Sequence, residues 1–240
     1  MLKRLRLAEW SGDELFLATV SCGALAWALG TLLHPALAVL PALPWLIVVY
    51  FFRDPERRRP AEPGLLLAPA DGTVMDIEEL YEPRFFDGRA LRIGIFLSPL
   101  NVHVNRMPCA GVVAYLRYAA GEFLPAYNPA APTRNEAMEL GLLSTEGLPV
   151  LVKQITGVLA RRIVCDARIG QVYASGQRYG MIKFGSRTEL YVPAGAPYRV
   201  QVKVGDKVRG GDTVLLRQEA PVFTVEVAGA DADWSRPLVF

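Results

Sequence analysis

Histidine is scarce in this chain of 240 residues, which contains only His34 and His103. The three cysteines, Cys22, Cys109 and Cys165, are too widely spaced for a zinc motif or a disulfide framework. Because protein metal sites usually gather several histidine or cysteine ligands, no metal is expected. The net charge of only +2, without a basic stripe carrying aromatic residues, argues against nucleic-acid binding.

Long apolar runs are present, and they lie near the N-terminus. Residues 15–33 and 36–52 are nearly free of charge and are separated by His34-Pro35. Each run is near the length needed to cross a hydrocarbon core of about 30 Å. Basic residues flank the pair: Lys3, Arg4 and Arg6 before it, and Arg53, Arg57, Arg58 and Arg59 after it. The positive-inside rule therefore predicts a membrane hairpin over residues 1–60, with the rest of the chain on the cytoplasmic side of the cell (inner) membrane.

Two features of the hairpin are open to alternatives. The second run is short and contains proline, so a hairpin that only dips into one leaflet is an alternative to one that spans. The run from Arg53 to Pro60 is expected to contact anionic lipid head groups. Positive-inside charge alone explains the same run equally well.

Residues 61–240 are predicted to form one mainly β domain, a compact sandwich or distorted barrel. The expected strands are rich in β-branched and aromatic residues and are separated by Gly, Pro and Asp turns. They are Gly72–Ile77, Leu91–Leu97, Gly111–Tyr118, Val150–Ile155, Gln171–Ala174, Met181–Phe184, Glu189–Val192, Arg199–Val204 and Thr213–Leu216. Residues 134–143 and 157–164 fit a helix or a strand. Residues 121–133, with three prolines, are expected to form a mobile loop over a site.

Two segments of this domain have similar sequences. Residues 68–74 and 202–214 both combine a Gly-Asp or Asp-Gly turn with a following valine. They resemble the turns of biotinyl/lipoyl-type barrel-sandwich domains. A carrier function would need a Met-Lys hairpin, which the chain lacks, so this likeness concerns only the fold.

The pair Gly185-Ser186 interrupts a segment that otherwise has the composition of a strand, Met181 to Val192. Glycine within a strand often marks a bulge or a close backbone approach. The hydroxyl of Ser186 can reach the carbonyl of the preceding peptide, a geometry that suits attack on the chain's own backbone or on a substrate. With His103 and Asp71, the chain has the parts of an activated serine nucleophile.

Each of these residues also has a structural interpretation. Local sequence by itself favours Asp71 as a turn former before Gly72. His103 fits a half-buried strand histidine, although it is the only histidine outside the predicted membrane hairpin of residues 1–60.

The chain resembles the short, membrane-associated class of phosphatidylserine decarboxylase proenzymes over most of its length. The resemblance is carried in order by Phe51-Phe52-Arg53-Asp54-Pro55, Ala68-Pro69-Ala70-Asp71-Gly72, Asn101-Val102-His103-Val104-Asn105-Arg106, Ala160-Arg161-Arg162-Ile163-Val164 and Gly180-Met181-Ile182-Lys183-Phe184-Gly185-Ser186-Arg187.

This resemblance implies self-processing. Ser186 attacks the carbonyl of Gly185 and converts the amide to an ester; β-elimination and loss of ammonia then leave a pyruvoyl group at position 186. Two chains result, Met1–Gly185 and Ser186–Phe240, which are expected to stay together as a heterodimer. The pyruvoyl group forms a Schiff base with phosphatidylserine and acts as the electron sink, as pyridoxal phosphate does in other enzymes. Neither pyridoxal phosphate nor a metal is then needed, and the products are phosphatidylethanolamine and CO₂.

The chain departs from the longer members of that family at one position. Those members carry His-x-x-His just before Met-Pro, and the second histidine belongs to their self-cleavage triad. Here the first position is His103 and the second is Arg106. Either His103 serves both maturation and protonation of the product, or Asp71 assists cleavage with Arg106 or water. Asn135 and Glu136, in a polar stretch that is also similar to the family, are expected to shape the substrate site together with Arg106.

Three other functions are weighed against this one. A membrane-tethered serine hydrolase would use the same Ser186, His103 and Asp71, but the Gly-x-Ser-x-Gly elbow typical of such enzymes is absent. A membrane-anchored barrel-sandwich adaptor leaves Gly185-Ser186 unexplained. A degenerate family member that no longer processes itself is the third alternative.

Overall fold

A computed structural model describes residues 6–58, 60, 62–158, 162–183 and 186–219 of the chain. These residues divide into two compact units. The first contains the residues up to Glu56 together with Leu100–Val102, and the second contains Arg57–Pro99 and the residues from His103 onward.

The first unit is a helical hairpin. Helix α1, Gly12–Ala28, follows a 3₁₀ turn at Glu9–Ser11 and ends in a π-helical turn at Leu29–Leu33. A 3₁₀ turn, Pro35–Val39, and helix α2, Ala42–Phe51, return the chain. At the reversal, the backbone N–H of Ala36 donates to Nδ1 of His34 at 3.2 Å, so this histidine caps the turn.

The two ends of the hairpin pair with each other. Leu7 and Arg53 form an antiparallel bridge, and the N–H of Ala8 donates to the carbonyl of Phe52 at 2.8 Å. Both ends therefore lie on the same side of the hairpin. The helical stretch Glu9–Leu33 is, by length and composition, long and apolar enough to cross a membrane, and its apolar side chains are uncovered within the chain. This is the pattern of a membrane-associated segment.

Within the described residues, the second unit contains fourteen strands and one short helix, α3, Ala131–Arg134. The strands are β1 Leu65–Leu67, β2 Gly72–Glu82, β3 Gly88–Leu97, β4 Val104–Arg106, β5 Gly111–Ala119, β6 Ala137–Ser144, β7 Pro149–Ile155, β8 Arg162–Cys165, β9 Val172–Tyr173, β10 Arg178–Lys183, β11 Ser186–Pro193, β12 Tyr198–Val200, β13 Lys207–Val208 and β14 Val214–Gln218.

These strands form three antiparallel sheets. The largest has eight strands in the order β13-β2-β3-β11-β7-β6-β5-β9 and curls into a half-barrel. The two smaller sheets are β1-β14-β12 and β4-β10-β8. The predicted mainly β fold is confirmed. The two segments whose sequence fitted a helix or a strand contribute strands β6 and β8, because each finds a partner along a neighbouring strand.

The two segments of similar sequence pair with each other. Gly72 and Thr73 lie opposite Val208 and Lys207, and the N–H of Gly211 donates to the carbonyl of Ala68 at 2.8 Å. Their likeness therefore reflects two paired turns of the same β unit. This pairing brings the turn at residues 210–211 against the turn that carries Asp71.

Strand β11 separates two kinds of environment. Leu190 and Val192 point into an apolar core shared by all three sheets. Arg187 and Glu189 lie on the opposite face, where Nε of Arg187 donates to Glu189 at 2.7 Å although both residues are buried. Side chains alternate between faces along a strand, so Ser186 and Thr188 lie on the core face.

Gly72, the first residue of β2, lies in close contact with the backbone of β3. A Cβ at this position would collide with the carbonyl oxygen of Phe96 and lie 2.7 Å from Cγ2 of Ile95. Gly72→Ala is therefore expected to lower the free energy of unfolding by about 1–3 kcal/mol, the usual range for overpacking. Gly88→Ala is the matched control, since its Cβ would meet nothing closer than 3.7 Å. Thermal unfolding followed by near-ultraviolet circular dichroism should separate the two variants, and equal melting temperatures would contradict the prediction.

Candidate active site

Ser186 is the first residue of the central strand β11 and lies opposite Leu97 of β3. The preceding strand, β10, ends at Lys183 and belongs to a different sheet, β4-β10-β8. The chain therefore passes from one sheet to another across Phe184-Gly185. These two residues, including the Gly185 of the predicted cleavage site, lie outside the described residues. Ser186 is the first residue of the chain in the eight-stranded sheet after strand β10.

The hydroxyl of Ser186 is fully buried and finds no hydrogen-bond partner among the residues that the structure describes. Leaving a buried hydroxyl without a partner costs about 1–3 kcal/mol, so such groups are uncommon in native proteins. A buried hydroxyl that has no partner among the described residues, at the start of a strand that follows a change of sheet, makes Ser186 a candidate functional residue.

Asp71 lies in the turn between β1 and β2, where two groups donate to its carboxylate. Nη2 of Arg57 approaches both oxygens, at 2.8 and 2.7 Å, and the N–H of Gly210 donates to Oδ1 at 2.8 Å. Burial raises the pKa of Asp71 above its ordinary value, while the nearby charges of Arg57 and Arg106 and the Gly210 hydrogen bond act against that shift. The turn-former interpretation accounts for the backbone position but not for the two arginines.

His103 immediately precedes strand β4 and is completely buried. Its carbonyl accepts a hydrogen bond from the N–H of Ile182 at 3.2 Å, on the strand that leads to Ser186. The N–H of Arg106 donates to the carbonyl of Pro69 at 2.9 Å, which ties the same strand to the turn of Asp71. The structure thus places the segments that bear the three predicted catalytic residues side by side.

Arg106 occupies the position of the second family histidine and is only 2% exposed. Its Nη1 donates to the carbonyl of Gly176 at 3.3 Å, and its Cδ packs where a Cβ on Gly211 would stand. The positive charge of Arg106 also lowers the pKa of Asp71. This buried arginine therefore belongs to the surroundings of the predicted site.

Asn135 and Glu136 organise the proline-rich segment of residues 121–133. Asn135 is buried, and its side chain both accepts from the N–H and donates to the carbonyl of Leu124, at 2.9 and 2.8 Å. It also donates to the carbonyl of Thr156 at 2.9 Å. The segment expected to be mobile is therefore pinned to the end of β7. The register between β11 and β7, extended by one residue, sets Thr156 opposite Ser186.

Among the described residues, no group of three or more histidine, cysteine, aspartate or glutamate side chains is arranged to hold a metal ion.

Comparison with known proteins identifies the family. Residues 46–216 match the family model for phosphatidylserine decarboxylase. A phosphatidylserine decarboxylase proenzyme of Symbiobacterium thermophilum is 48% identical over 191 residues, which cover 80% of this chain and 84% of that protein. The proenzyme of Carboxydothermus hydrogenoformans is 44% identical over 204 residues, covering 85% and 94%. The chain belongs to the phosphatidylserine decarboxylase family.

Within this member of the phosphatidylserine decarboxylase family, the structure adds residues that sequence reasoning did not assign. Arg57 was placed in a lipid-binding run, yet its side chain is 8% exposed and pairs with Asp71. Asn105 and Gln154 are buried polar residues beside the strand of Ser186. Asn105 stands within the motif that contains His103, but nothing in the sequence tells which way its side chain points. The partner of Arg57 could not be deduced either, because fourteen residues separate it from Asp71.

Removing the side-chain amide of Asn135 should release the pinned segment. Asn135→Ala leaves the N–H and carbonyl of Leu124 and the carbonyl of Thr156 without their present partner, so we expect faster proteolytic cutting within residues 121–134 by at least several-fold. Limited proteolysis followed by mass spectrometry measures this rate. Arg134→Ala, which removes only an exposed ion pair with Glu122, is the control and should leave it nearly unchanged. Equal cutting of both variants would contradict the pinning role.

Proposed function

We propose that this chain is a proenzyme of the short, membrane-associated class, which cuts itself between Gly185 and Ser186 and then converts phosphatidylserine to phosphatidylethanolamine and CO₂. The observation that carries the proposal is the buried hydroxyl of Ser186, at the first position of the central strand, which has no hydrogen-bond partner among the described residues. Membership of the phosphatidylserine decarboxylase family supplies the reaction class.

In the self-cleavage step, Oγ of Ser186 attacks the carbonyl carbon of Gly185, and His103 takes the hydroxyl proton. The C–N bond then breaks, the departing nitrogen gains a proton, and an ester joins the two residues. Removal of the α-proton of residue 186 expels the Gly185 carboxylate and leaves a dehydroalanine, which water converts to the pyruvoyl group with loss of ammonia. Asp71, as a carboxylate, favours the protonated form of the histidine during the attack.

The position of Ser186 fits the resulting group. A pyruvoyl carbonyl carries no hydroxyl proton, so the conversion removes from the core face a buried donor that has no partner in the described part of the chain. When formed, the pyruvoyl group supplies the electron sink for decarboxylation. The chain's own residues hold strand β11 in place, exclude water from this buried end, and provide His103 as the group that delivers a proton to the carbon that has lost CO₂.

The two product chains are proposed to remain a heterodimer. Strand β11 pairs with β3 along its whole length and with β7 over residues 187–191, so every pair except the one between Ser186 and Leu97 lies beyond the peptide that is cut. Separating the chains would expose Leu190 and Val192, each of which is at most 1% exposed. Burial of such a side chain contributes about 1.5–3 kcal/mol, so the core holds the cut protein together.

The hairpin is proposed to anchor the protein in the cell (inner) membrane, with the β unit on the cytoplasmic side. The support is the basic charge at both of its ends, together with the pairing of those ends. Among the described arginines of the run from Arg53 to Pro60, Arg58 is the exposed one that is proposed to contact anionic head groups, since Arg57 pairs with Asp71 and Arg53 stacks over the ring of Tyr50 at 3.9 Å.

Substitution of the proposed nucleophile tests the function directly. Ser186→Ala should leave a single intact chain without decarboxylase activity, whereas the native protein should give two fragments by denaturing mass spectrometry, the smaller one starting with a pyruvoyl group at residue 186. Ser175→Ala, in a turn away from strand β11, is the control and should be cut normally. A native protein that stays intact after prolonged incubation would refute the proposal, and activity retained by Ser186→Ala would require another electron sink.

The pH dependence of self-cleavage tests the part of Asp71. If cleavage needs its carboxylate, the rate falls as pH drops through the pKa of Asp71, which lies above the ordinary value because of burial. Arg57→Met removes a charge that lowers this pKa, so it should shift the acid limb of the rate profile to higher pH. Arg58→Met, at an exposed position, should not shift it. An unmoved acid limb in Arg57→Met would show that Asp71 does not control the step.

A further inference from the structure

Asn105 is a completely buried asparagine whose side chain meets three different segments of the chain. Its Nδ2 donates to Oγ1 of Thr188 at 3.3 Å, and the carbonyl of Pro69 lies 3.5 Å from the same nitrogen. Its Oδ1 accepts a hydrogen bond from Nε2 of Gln154 at 2.8 Å. One carboxamide therefore joins β4, the turn before β2, β7 and β11.

Asn105 and two of its partners are each two residues along the sequence from a proposed catalytic residue. Thr188 is two residues after Ser186 and on the same face of β11. Pro69 is two residues before Asp71, and Asn105 itself is two residues after His103. The hydrogen bonds of this single side chain thus connect the three segments on which the site depends.

The direction of the Asn105 amide is set by Gln154. Because Nε2 of Gln154 donates to Asn105 Oδ1, the amide nitrogen of Asn105 must face Thr188 and Pro69. Gln154 and Thr188 are direct cross-strand partners on β7 and β11, and both are at most 1% exposed. Burial in a dry interior strengthens each of these bonds and makes the loss of a partner costly.

We propose that Asn105 is a positioning residue for self-cleavage, which holds the Ser186 end of β11 against the turn that bears Asp71. This inference rests on the proposed function. Packing alone would be served by an apolar side chain, whereas a buried amide bonded to two other strands fixes the relative placement of the strands it joins. In the cut protein Asn105 belongs to the larger chain and Thr188 to the smaller, so their hydrogen bond also crosses the interface between the products.

The test measures the rate at which newly made protein cuts itself. The protein is made by cell-free synthesis with pulse labelling, and the cut and uncut chains are separated on denaturing gels over time. Asn105→Ala and Thr188→Val are expected to slow self-cleavage by about tenfold or more, since a small misplacement of a nucleophile costs up to ~10²-fold. Thr188→Ser keeps the hydroxyl and should restore a rate close to that of the native chain. Asn128→Ala, an asparagine whose Oδ1 only accepts from Ala130 within a turn, is the matched control.

Stability is measured separately in chains that cannot cut themselves. Asn105→Ala and Thr188→Val are each combined with Ser186→Ala, and their melting temperatures are compared with that of Ser186→Ala alone. Should Asn105→Ala fail to fold, Thr188→Val, which keeps the shape of the side chain, decides the question.

The outcomes separate the inference from the proposed function. Slow cutting by folded Thr188→Val with rescue by Thr188→Ser supports the positioning role. Native cutting rates in folded Thr188→Val overturn it, as does equally slow cutting by Thr188→Ser, because the missing methyl group would then be responsible. A native chain that is never cut, or a Ser186→Ala chain that is cut, overturns the proposed function itself.

Discussion

The pairing of strand β11 between β3 and β7 is the interaction on which the rest of the structure depends. Every residue of the strand from Ser186 to Pro193 has a partner on β3, and its core face contributes Leu190 and Val192 to the main apolar cluster. A chain terminus is usually the least ordered part of a protein. Here the end that self-cleavage would create is the first residue of a central, buried strand, so a new terminus is held as firmly as the middle of a sheet.

The central position of β11 shields the residues around Ser186 from water, and this burial sets the strength of the electrostatic interactions among them. Burial raises the pKa of Asp71, and the two arginines beside it, Arg57 and Arg106, oppose the shift. The side-chain amides of Asn105 and Gln154 are hydrogen-bonded to each other instead of to water. In such an interior an unpaired polar atom is costly, and the hydroxyl of Ser186 and Oε1 of Gln154 are among the buried atoms that have no hydrogen-bond partner within the described residues.

The two units of the chain meet opposite physical demands. The hairpin leaves large apolar side chains uncovered, and Phe16 and Trp27 are at least 70% exposed. Such a surface is suited to contact with lipid and not with water. The β unit does the reverse and buries charged residues such as Arg187 and Glu189 as a hydrogen-bonded pair. A substrate that stays in the bilayer, and a reaction that needs a dry interior, account for the presence of both in one protein.

Features that depend on local pattern can be predicted from the sequence. Apolar runs and their basic flanks predict the hairpin, short alternating segments predict the β unit, and Gly185-Ser186 with its neighbours indicates the family. Contacts between distant segments follow only from the folded chain. It divides the strand predicted around Gly185-Ser186 between two sheets, gives Asp71 its partners Arg57 and Gly210, the latter 139 residues away, and turns Asn105 toward Thr188. Such contacts follow from the register of non-local strands, because one residue of slip would reverse every side chain, and no local pattern records that register.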